Sequence, residues 1–593
     1  MGYGSASNAW AAAILFPPGE WTPFPMTNDK QEFPMQARMM IAFVLVFGVI
    51  FATPYLTKMF APPAPPKQAV TEFPKKPATG TSAAAPAATA AVAPGLTAST
   101  PFPAGSVAGT REETTVIDTD VYHVIFSNRG AVVRSWSLKK YKDANGKPLE
   151  LVNANAIPKT GYPFAFTFRD KKPTADLNQA LFLAKENPDG RSVSFEYSDG
   201  HSFARKVFEF QKESYLSTVA AEVTQDGAPL LNLMQWRGGF GDFAALNASS
   251  QQSQIRYDTG EAKVIRDGAK AAKEGPKNTD GTFSFAGLED QYFTAVFLPT
   301  GNGVTETTIF SDTVSSPFEK EETAYVGAAV GGTGRSSFSF FVGPKDVDTL
   351  RKVNPKLEQI VDFGWFAVIA KPLFLILHFL NDQYVHNYGW SIVLITLIIN
   401  VLLFPLKLTN MKSMKKMQRL QPQIAQINAK YKDIPMRDPR QQQKNQETMD
   451  LYKANGANPV GGCLPLVIQM PFLFAFYKVL SVSIEMRSAS WFWVHDLSQP
   501  EQLAIRILPL LLIITGFVMQ KMTPAAGGDP AQQKMMQFMP LMMGFFFWKA
   551  SSGLVLYWLT GNLVGILQQW FFNKTMTPAE AVPAPRLTGT RKK

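Results

Sequence analysis

The 593-residue sequence is poor in the residues that build covalent cross-links and metal centres, with one cysteine, Cys463, and five histidines. A single cysteine excludes an internal disulfide framework. The histidines are scattered without metal-ligand spacing, and there is no HExxH motif, glycine-rich phosphate loop or Ser-His-Asp order. We therefore expect no catalytic residue, no metal and no cofactor.

Charge is also missing from long stretches. No charged residue lies between Met39 and Thr57, and this run is about long enough to cross a hydrocarbon core of roughly 30 Å. We expect a transmembrane helix at residues 39–57, after a cytoplasmic tail at 1–38. A cleaved signal peptide is the alternative, and Met26 and Met35 are alternative starts to Met1.

The composition changes twice after this run. Residues 58–112 are rich in Pro, Ala, Thr and Ser, which is typical of a linker that cannot bury enough apolar surface to fold. Residues 113–345 read as strands: Val121–Phe126, the alternating run from Val193 to Tyr197, and Ser337–Val342. Asp199-Gly200 predicts a hairpin turn before a strand that begins at Phe203. We predict a large β-sandwich domain.

Apolar segments dominate the rest of the chain. The first, at 355–383, contains Asp362 and is interrupted by Lys371-Pro372, so we interpret it as an interfacial amphipathic helix. Five further membrane spans are predicted, at residues 387–407, 461–483, 504–521, 535–549 and 553–573.

The basic residues indicate the orientation of these spans. They concentrate in the segment 408–457, between the second and third spans, and in the tail 574–593. The positive-inside rule places both segments, and both termini, in the cytoplasm, with the β domain on the opposite side. Topology therefore explains the net charge of +11, and specific DNA binding is not expected.

The segment 408–457 is predicted to form a cytoplasmic helical hairpin. Apolar residues recur there at three- and four-residue spacing, which makes one face of a helix: Met414, Met417, Leu420, Ile424, Ile427 and Tyr431. A methionine face can be ordinary packing or can adapt to varied apolar partners. The opposite face, which includes Arg419, can contact ribosomal RNA or anionic lipid, or can simply be solvated.

Polar residues within the spans mark either interior faces or pathways. Thr396 and Asn400 share one face of the second span, and Lys407 lies on roughly the same face, about 10 Å nearer the cytoplasm. Others follow in the later spans: Gln469, Thr515, Gln520, Gln537, Thr560, Asn562, Gln568 and Gln569. They can form hydrogen bonds between packed helices. Their shared position in the cytoplasmic half instead favours a hydrated cavity that opens to the cytoplasm.

Short motifs from residue 388 onward resemble the YidC/Oxa1/Alb3 family of membrane protein insertases. The second span and hairpin contribute Tyr388-Gly389-Trp390-Ser391, Phe404-Pro405-Leu406 and Met417-Gln418-Arg419-Leu420-Gln421-Pro422. The third span contributes Asn458-Pro459-Val460-Gly461-Gly462-Cys463-Leu464-Pro465 and Ile468-Gln469-Met470-Pro471. The last two contribute Asp529-Pro530-Ala531-Gln532-Gln533-Lys534, Met539-Pro540, Ser552-Gly553-Leu554-Val555-Leu556-Tyr557 and Asn562-Leu563. These motifs cover residues 360–575 in family order.

The resemblance implies a polytopic α-helical membrane protein of the bacterial inner membrane, with about six transmembrane helices, a periplasmic all-β supersandwich domain and a cytoplasmic hairpin. It implies a groove that takes the hydrophilic part of a client chain, with contacts at Thr396, Asn400, Lys407, Gln469 and Trp558. The client's apolar segment would leave along the third and fifth spans, past Cys463, Met470, Phe538 and Pro540. Expected partners are nascent membrane proteins, the ribosome at the hairpin and basic tail, Sec translocon components and the bilayer.

Two positions depart from the family pattern. Asn400 stands where the family usually has an arginine, and we hypothesise that Lys407 partly substitutes for that charge. Trp558 stands where many relatives place a tyrosine that contacts clients.

Two other functions stay open. A transporter or channel would also place polar groups in its spans, but the sequence shows no internal repeats, paired broken helices or acidic proton-relay residues. A membrane-anchored carbohydrate enzyme would need paired carboxylates in the β domain, and the sequence shows no such pair.

Overall fold

The computed structural model describes residues 105–143, 145–245, 248–300, 305–318, 320–431, 438–456, 464–523 and 530–575. For residues 464–468 and 530–536 only the backbone is described. The predicted first span at 39–57, the tail at 1–38, Cys463 and most of the linker and basic tail lie outside these ranges.

The described residues between 113 and 345 form three antiparallel sheets, which agrees with the predicted β domain. The first has four strands in the order β1-β2-β3-β4, at Thr114–Asp118, Tyr122–Ser127, Val132–Lys142 and Pro148–Glu150. A short helix, α1, follows at Ile157–Thr160.

The second sheet has ten strands in the order β13-β12-β15-β16-β19-β9-β8-β7-β6, with β10 paired to β9. In chain order they are β6 Leu183–Glu186, β7 Ser192–Ser198, β8 Ser202–Phe210, β9 Leu216–Gln225, β10 Ala228–Pro229, β12 Ser253–Asp258, β13 Lys263–Asp267, β15 Phe283–Glu289, β16 Phe293–Pro299 and β19 Ser336–Pro344. The third sheet has the order β14-β17-β18-β11-β5. Its strands are β5 Ala165–Thr167, β11 Leu231–Trp236, β14 Lys277–Gly281, β17 Thr305–Val314 and β18 Thr323–Thr333.

The predicted hairpin between β7 and β8 is confirmed. Ser198 pairs with Phe203, and the turn between them is held by Asp199, whose side-chain oxygen accepts from the backbone N–H groups of His201 and Ser202. Gly200 has φ +92°, a conformation that glycine adopts without steric cost. Aromatic rings fill the space between the sheets; Trp136, for example, lies 5.8 Å from Phe340 between ring centres.

The segment after the β domain begins with α2 at Val347–Val353 and a 3-10 helix at Pro355–Ile360. Helix α3 follows at Ala367–Leu380 and ends in a π-helical turn, Asn381–Val385. Lys371-Pro372 interrupts the apolar run of the sequence but not the helix, which continues through Pro372 and lacks only the N–H of that residue. Both of its sides are apolar: Leu377 is buried, whereas Val368 is 88% exposed.

The remaining helices are α4 Tyr388–Leu402, α5 Phe404–Arg419, α6 Gln421–Lys430, α7 Arg440–Ala454, α8 Leu464–Val482, α9 Ile507–Met522, α10 Pro530–Phe547 and α11 Ser552–Thr575. The predicted second span and hairpin are divided differently from our expectation. One helix ends at Leu402 and the next continues to Arg419, so α5 belongs to both predicted elements. The two breaks precede Pro405 and Pro422, which lie in the first turn of the next helix, where a missing N–H costs least.

No single helix in the described ranges is both long enough and apolar enough to cross a membrane by itself. One pair, Ala367–Val385 with Tyr388–Leu402, meets that requirement together and is bent by 118°. Shorter apolar helices lie at Gln469–Val482, Ile507–Met522 and Gln537–Phe547. The number of spans therefore stays a prediction.

The described part of the predicted hairpin belongs largely to a compact unit of its own. Its helices α6 and α7 are joined by Glu447, whose Oε1 accepts from Lys430 Nζ at 2.6 Å and from the Tyr431 hydroxyl at 2.9 Å. Met417 and Leu420 are buried, Met414 is half-buried and Arg419 is exposed. Packing is therefore the better interpretation of the apolar face at Met417 and Leu420.

Gly389, in the first turn of α4, provides a test of how tightly the helix ends are packed. A Cβ at this position would overlap the indole ring of Trp491, whereas a Cβ on Gly561 in α11 would meet nothing within 4 Å. We expect Gly389→Ala to destabilise the protein by about 1–3 kcal/mol through overpacking. Gly561→Ala, the matched control, should be neutral or slightly stabilising, and thermal unfolding of the two purified variants checks the difference. Equal melting temperatures would contradict the packing of Trp491.

Candidate functional site

Helix α11 is the central helix of the region that follows the β domain. It packs against α4, α8 and α9, and α10 packs in turn against α9. Polar residues predicted from the sequence lie where α11 meets these neighbours, and they form the candidate site.

The first polar contact joins α4 and α5 to α11. Lys407 Nζ donates to Asn400 Oδ1 at 2.6 Å and to Gln568 Oε1 at 3.4 Å. Gln568 Nε2 lies 3.5 Å from the backbone oxygen of Asn400. Asn400 is buried and Lys407 is half-buried. Their side chains, which the sequence placed on roughly one helical face, are in direct contact.

A further polar contact ties α11 to α9, and an aromatic contact ties it to α8. Asn562 Nδ2 donates to Thr515 Oγ1 at 3.2 Å. The Tyr557 ring lies 4.6 Å from that of Phe476. Sequence reasoning selected the adjacent Trp558 and missed Tyr557, although the available signal was that Tyr557 closes the motif that begins at Ser552.

The threonines of the site are satisfied within their own helices. The hydroxyl of Thr396 donates to the Ile392 carbonyl at 2.6 Å, that of Thr515 to Leu511 at 2.7 Å, and that of Thr560 to Leu556 at 2.8 Å. Such bonds to the residue four positions earlier use the single donor of each hydroxyl, and all three side chains are buried. For these three residues the packing alternative is better supported than a role in binding.

The residues predicted to contact a departing apolar segment are dispersed. Phe538 is 63% exposed on α10, whereas Pro540 packs on α9, where a Cβ on Gly516 would lie 3.0 Å from it. Met470 is half-buried on α8. Trp558, which was predicted to line the groove, is half-buried with its ring 5.0 Å from that of Phe547. Of the other predicted polar residues, Gln537 is exposed, Gln520 is half-buried, and Gln569 is buried and bonds Asn573 at 2.9 Å.

Comparison with protein families decides the assignment. The family model described as 60Kd inner membrane protein matches residues 379–580, which contain all the polar residues of α11 described above. The model described as YidC periplasmic domain matches residues 114–376. The membrane protein insertase YidC of Pelobacter propionicus is 33% identical over 567 residues, covering 91% of this chain and 99% of the relative. The chain belongs to the YidC family.

Other members agree over a similar length. The membrane protein insertase YidC of Geobacter metallireducens is 33% identical over 568 residues, covering 92% of this chain and all of the relative. A solved structure titled as an active YidC insertase with its first transmembrane domain resolved is 20% identical, covers 79% of this chain and 94% of that chain, and has a TM-score of 0.34. The YidC structure from Thermotoga maritima is 16% identical, covers 78% and 99% of the two chains, and has a TM-score of 0.26.

The family assignment confirms the resemblance read from the motifs. It also identifies the β domain as the YidC periplasmic domain, which matches residues 114–376. The polar residues around α11 lie within the match to the 60Kd inner membrane protein.

Proposed function

We propose that this chain is a membrane protein insertase of the bacterial inner membrane. It takes hydrophilic parts of nascent membrane proteins into a polar groove that opens to the cytoplasm, and it releases their apolar segments into the bilayer. The names of its full-length relatives support this function. The polar contacts around α11 support the location of the groove.

The environment of Lys407 is the observation that best supports the proposed groove. Its amine bonds two amide oxygens, those of Asn400 and Gln568, and both are neutral. No carboxylate in the described part of the chain forms an ion pair with it. A half-buried cation without a counter-charge attracts a negative group strongly, because the surroundings screen it less than water does. An acidic residue of a client would supply that charge.

Insertion by this route needs no nucleotide, since transfer of the client's apolar segment into lipid supplies about 25 cal/mol for each Å² of apolar surface removed from water. The groove lowers the barrier by hydrating and bonding the polar part of the client while it crosses. The role is that of a chaperone and insertase, not of an enzyme.

Lys407→Gln tests this proposal. We expect insertion of a client with an acidic tail to fall about tenfold, the factor that corresponds to about 1.4 kcal/mol of lost attraction, and insertion of the same client with a neutral tail to change little. Lys412→Gln is the matched control, because Lys412 is exposed on the same helix. Insertion is measured by protease protection in proteoliposomes at low and high salt.

A second variant separates charge from geometry. Adding Asn400→Arg to Lys407→Gln places a cation at the position where the family usually has one, and it should restore insertion of the acidic client. Unchanged insertion and unchanged salt response in Lys407→Gln would refute the role of the lysine.

The remaining partners belong to this proposal. The hairpin and the basic tail at 574–593 would meet the ribosome, and Sec translocon components would share clients with the groove. Cys463 is the one thiol of the sequence, so a crosslink from it to a nascent chain on the ribosome would locate the client beside the third predicted span.

A further inference from the structure

Helix α3 contacts α8 in two places that differ in chemistry. Near the start of α3 the contact is apolar, and the rings of Phe366 and Phe474 are stacked with their centres 6.0 Å apart. In the last turn of α3 the contact is polar, because His378 Nδ1 lies 3.9 Å from Glu485 Oε1. Glu485 lies in a 3-10 helix, Ile484–Met486, that follows the end of α8. We call the pair of His378 and Glu485 the helix joint.

The carboxyl of Glu485 is poorly solvated and has few positive partners. Its side chain is 15% exposed, and that of His378 is 25% exposed. Among the residues that the structure describes, His378 is the one basic side chain within 4 Å of this carboxyl. A carboxylate that has lost its water is stable only beside a positive charge. The ionised form of Glu485 therefore depends on a protonated histidine.

The other groups that act on Glu485 do not supply a positive charge. They are three further carboxylates and two phenol rings, contributed by the start of α2, the turn after α3, strand β3 and helix α4: Asp346, Asp348, Asp382, Tyr141 and Tyr388. The cations of the neighbouring chain segments are paired elsewhere, Arg487 with Asp242 and Lys478 with Asp362. The surroundings of the joint are therefore negative overall.

These surroundings favour the protonated carboxyl. Burial raises the pKa of Glu485 to about 7 from its ordinary value of 4.5; the charges of Asp346 and Asp348 raise it further, whereas that of His378 lowers it. Separation of the joint would return the carboxyl to water, where it releases its proton more readily. The closed joint is therefore favoured most below pH 4.5, and this preference is lost as the pH rises to about 7. Each pH unit in that window shifts the opening equilibrium by up to about tenfold.

The end of α3 has the features of a segment that opens locally. It passes directly into the π-helical turn Asn381–Val385, in which no residue is buried. Single π-helical turns are rare and occur frequently at functional sites. Segments with few buried contacts open at a lower free energy than the rest of a fold. The last turn of α3 can therefore separate from Glu485 while the apolar contact at Phe366 stays in place.

We propose that His378 and Glu485 form a pH-sensitive joint, which holds the last turn of α3 against the end of α8 at acidic pH and loosens as the pH rises through neutrality. By the predicted topology the joint lies on the periplasmic side, so it responds to the pH of that compartment. This inference goes beyond the insertase function, since the joint titrates whether or not a client is bound.

Hydrogen exchange tests the joint. The full-length chain in lipid nanodiscs is analysed by mass spectrometry at pH 5.5, 6.5 and 7.5, and each exchange rate of residues 376–386 is divided by the intrinsic amide rate at that pH. We expect the protection of this segment to fall about tenfold from pH 5.5 to 7.5 in the parent protein. Glu485→Gln keeps the shape of the side chain but has no proton to release, so its protection should change less than about twofold. His378→Gln removes the positive partner and should enlarge the fall.

His386→Asn is the matched control. His386 is an exposed histidine that follows the same π-helical turn, and its φ of +52° is one that asparagine tolerates. A fall in the parent that His386→Asn keeps and Glu485→Gln abolishes supports the joint. Constant protection in the parent overturns the proposal, and so does a fall that persists unchanged in Glu485→Gln. If Glu485→Gln does not fold, His378→Gln decides, because a fall no larger than that of the parent contradicts the pairing. No client is present, so a failure of client insertion would count against the insertase function and not against the joint.

Discussion

Arg487→Gln should lower the free energy of unfolding by about 3–5 kcal/mol, which is the cost of leaving a buried charge without its partner. The partner is Asp242 in the β domain, and the two side chains are only 6% and 5% exposed. Arg487 Nε donates to Asp242 Oδ2 at 2.8 Å. The guanidinium also donates to the Lys142 oxygen and lies 5.6 Å from the centre of the Phe293 ring.

The effect is large because Asp242 has no other cation in the described part of the chain with which it pairs. Its remaining bonds come from the backbone: its Oδ1 accepts from the Ala244 N–H at 3.0 Å, and its own N–H donates to Asp290 at 2.6 Å. These bonds do not neutralise the carboxylate. The loss of Arg487 therefore leaves a buried negative charge next to a second buried carboxylate.

A double-mutant cycle measures the interaction free energy between Arg487 and Asp242. Asp242→Asn combined with Arg487→Gln removes both charges, so the double variant should be less destabilised than the sum of the two single variants. Arg351→Gln is the control, since the Arg351–Glu358 pair is 50% and 29% exposed and should contribute about 0–1 kcal/mol. Thermal unfolding of the purified chain should show a fall of about 10 °C for Arg487→Gln. A fall no larger than that of the control would show that the pair is not buried in solution.

The contact between Arg487 and Asp242 shows where sequence reasoning stops. The two residues are 245 positions apart, and nothing in their neighbourhoods indicates that they meet. Strand alternation and the Asp199-Gly200 turn were readable because β structure repeats every two residues and its turns need particular residues. Long-range pairing has no such local signal.

The candidate site could be predicted from the sequence only in part. The spacing of Asn400 and Lys407 placed them on one helical face, and the structure brings them together. Gln568 was recognised as polar but not as their neighbour, because no periodicity relates α4 to α11. The breaks at Leu403 and Leu420 could have been predicted, since Pro405 and Pro422 signal a new first turn, but apolar periodicity continues through both and suggested longer helices.

Lys206→Met should destabilise the β domain by about 3 kcal/mol, because it removes a buried amine that holds three backbone oxygens. Lys206 on β8 is fully buried, and its Nζ donates to the oxygens of Gly130, Ala131 and Phe164 at 3.0, 3.1 and 2.6 Å. Burial lowers the pKa of Lys206 well below its ordinary value, since the charged form loses its hydration. Three acceptors nevertheless match the three N–H groups of an ammonium, and the Phe166 ring lies 3.9 Å from Nζ.

Methionine has nearly the length of lysine but no donor, so Lys206→Met would leave three buried carbonyls unbonded, at about 1–3 kcal/mol each. Removal of the desolvated charge returns part of this cost, and about 3 kcal/mol is the expected balance. Lys185→Met on the edge strand β6 is the control, because that side chain is 61% exposed and its replacement should change stability by less than about 0.5 kcal/mol. Equal unfolding temperatures for the two variants would mean that water or a shift of the backbone satisfies the three carbonyls. A large difference would show that the turn around Gly130 depends on a lysine that no local sequence pattern connects to it.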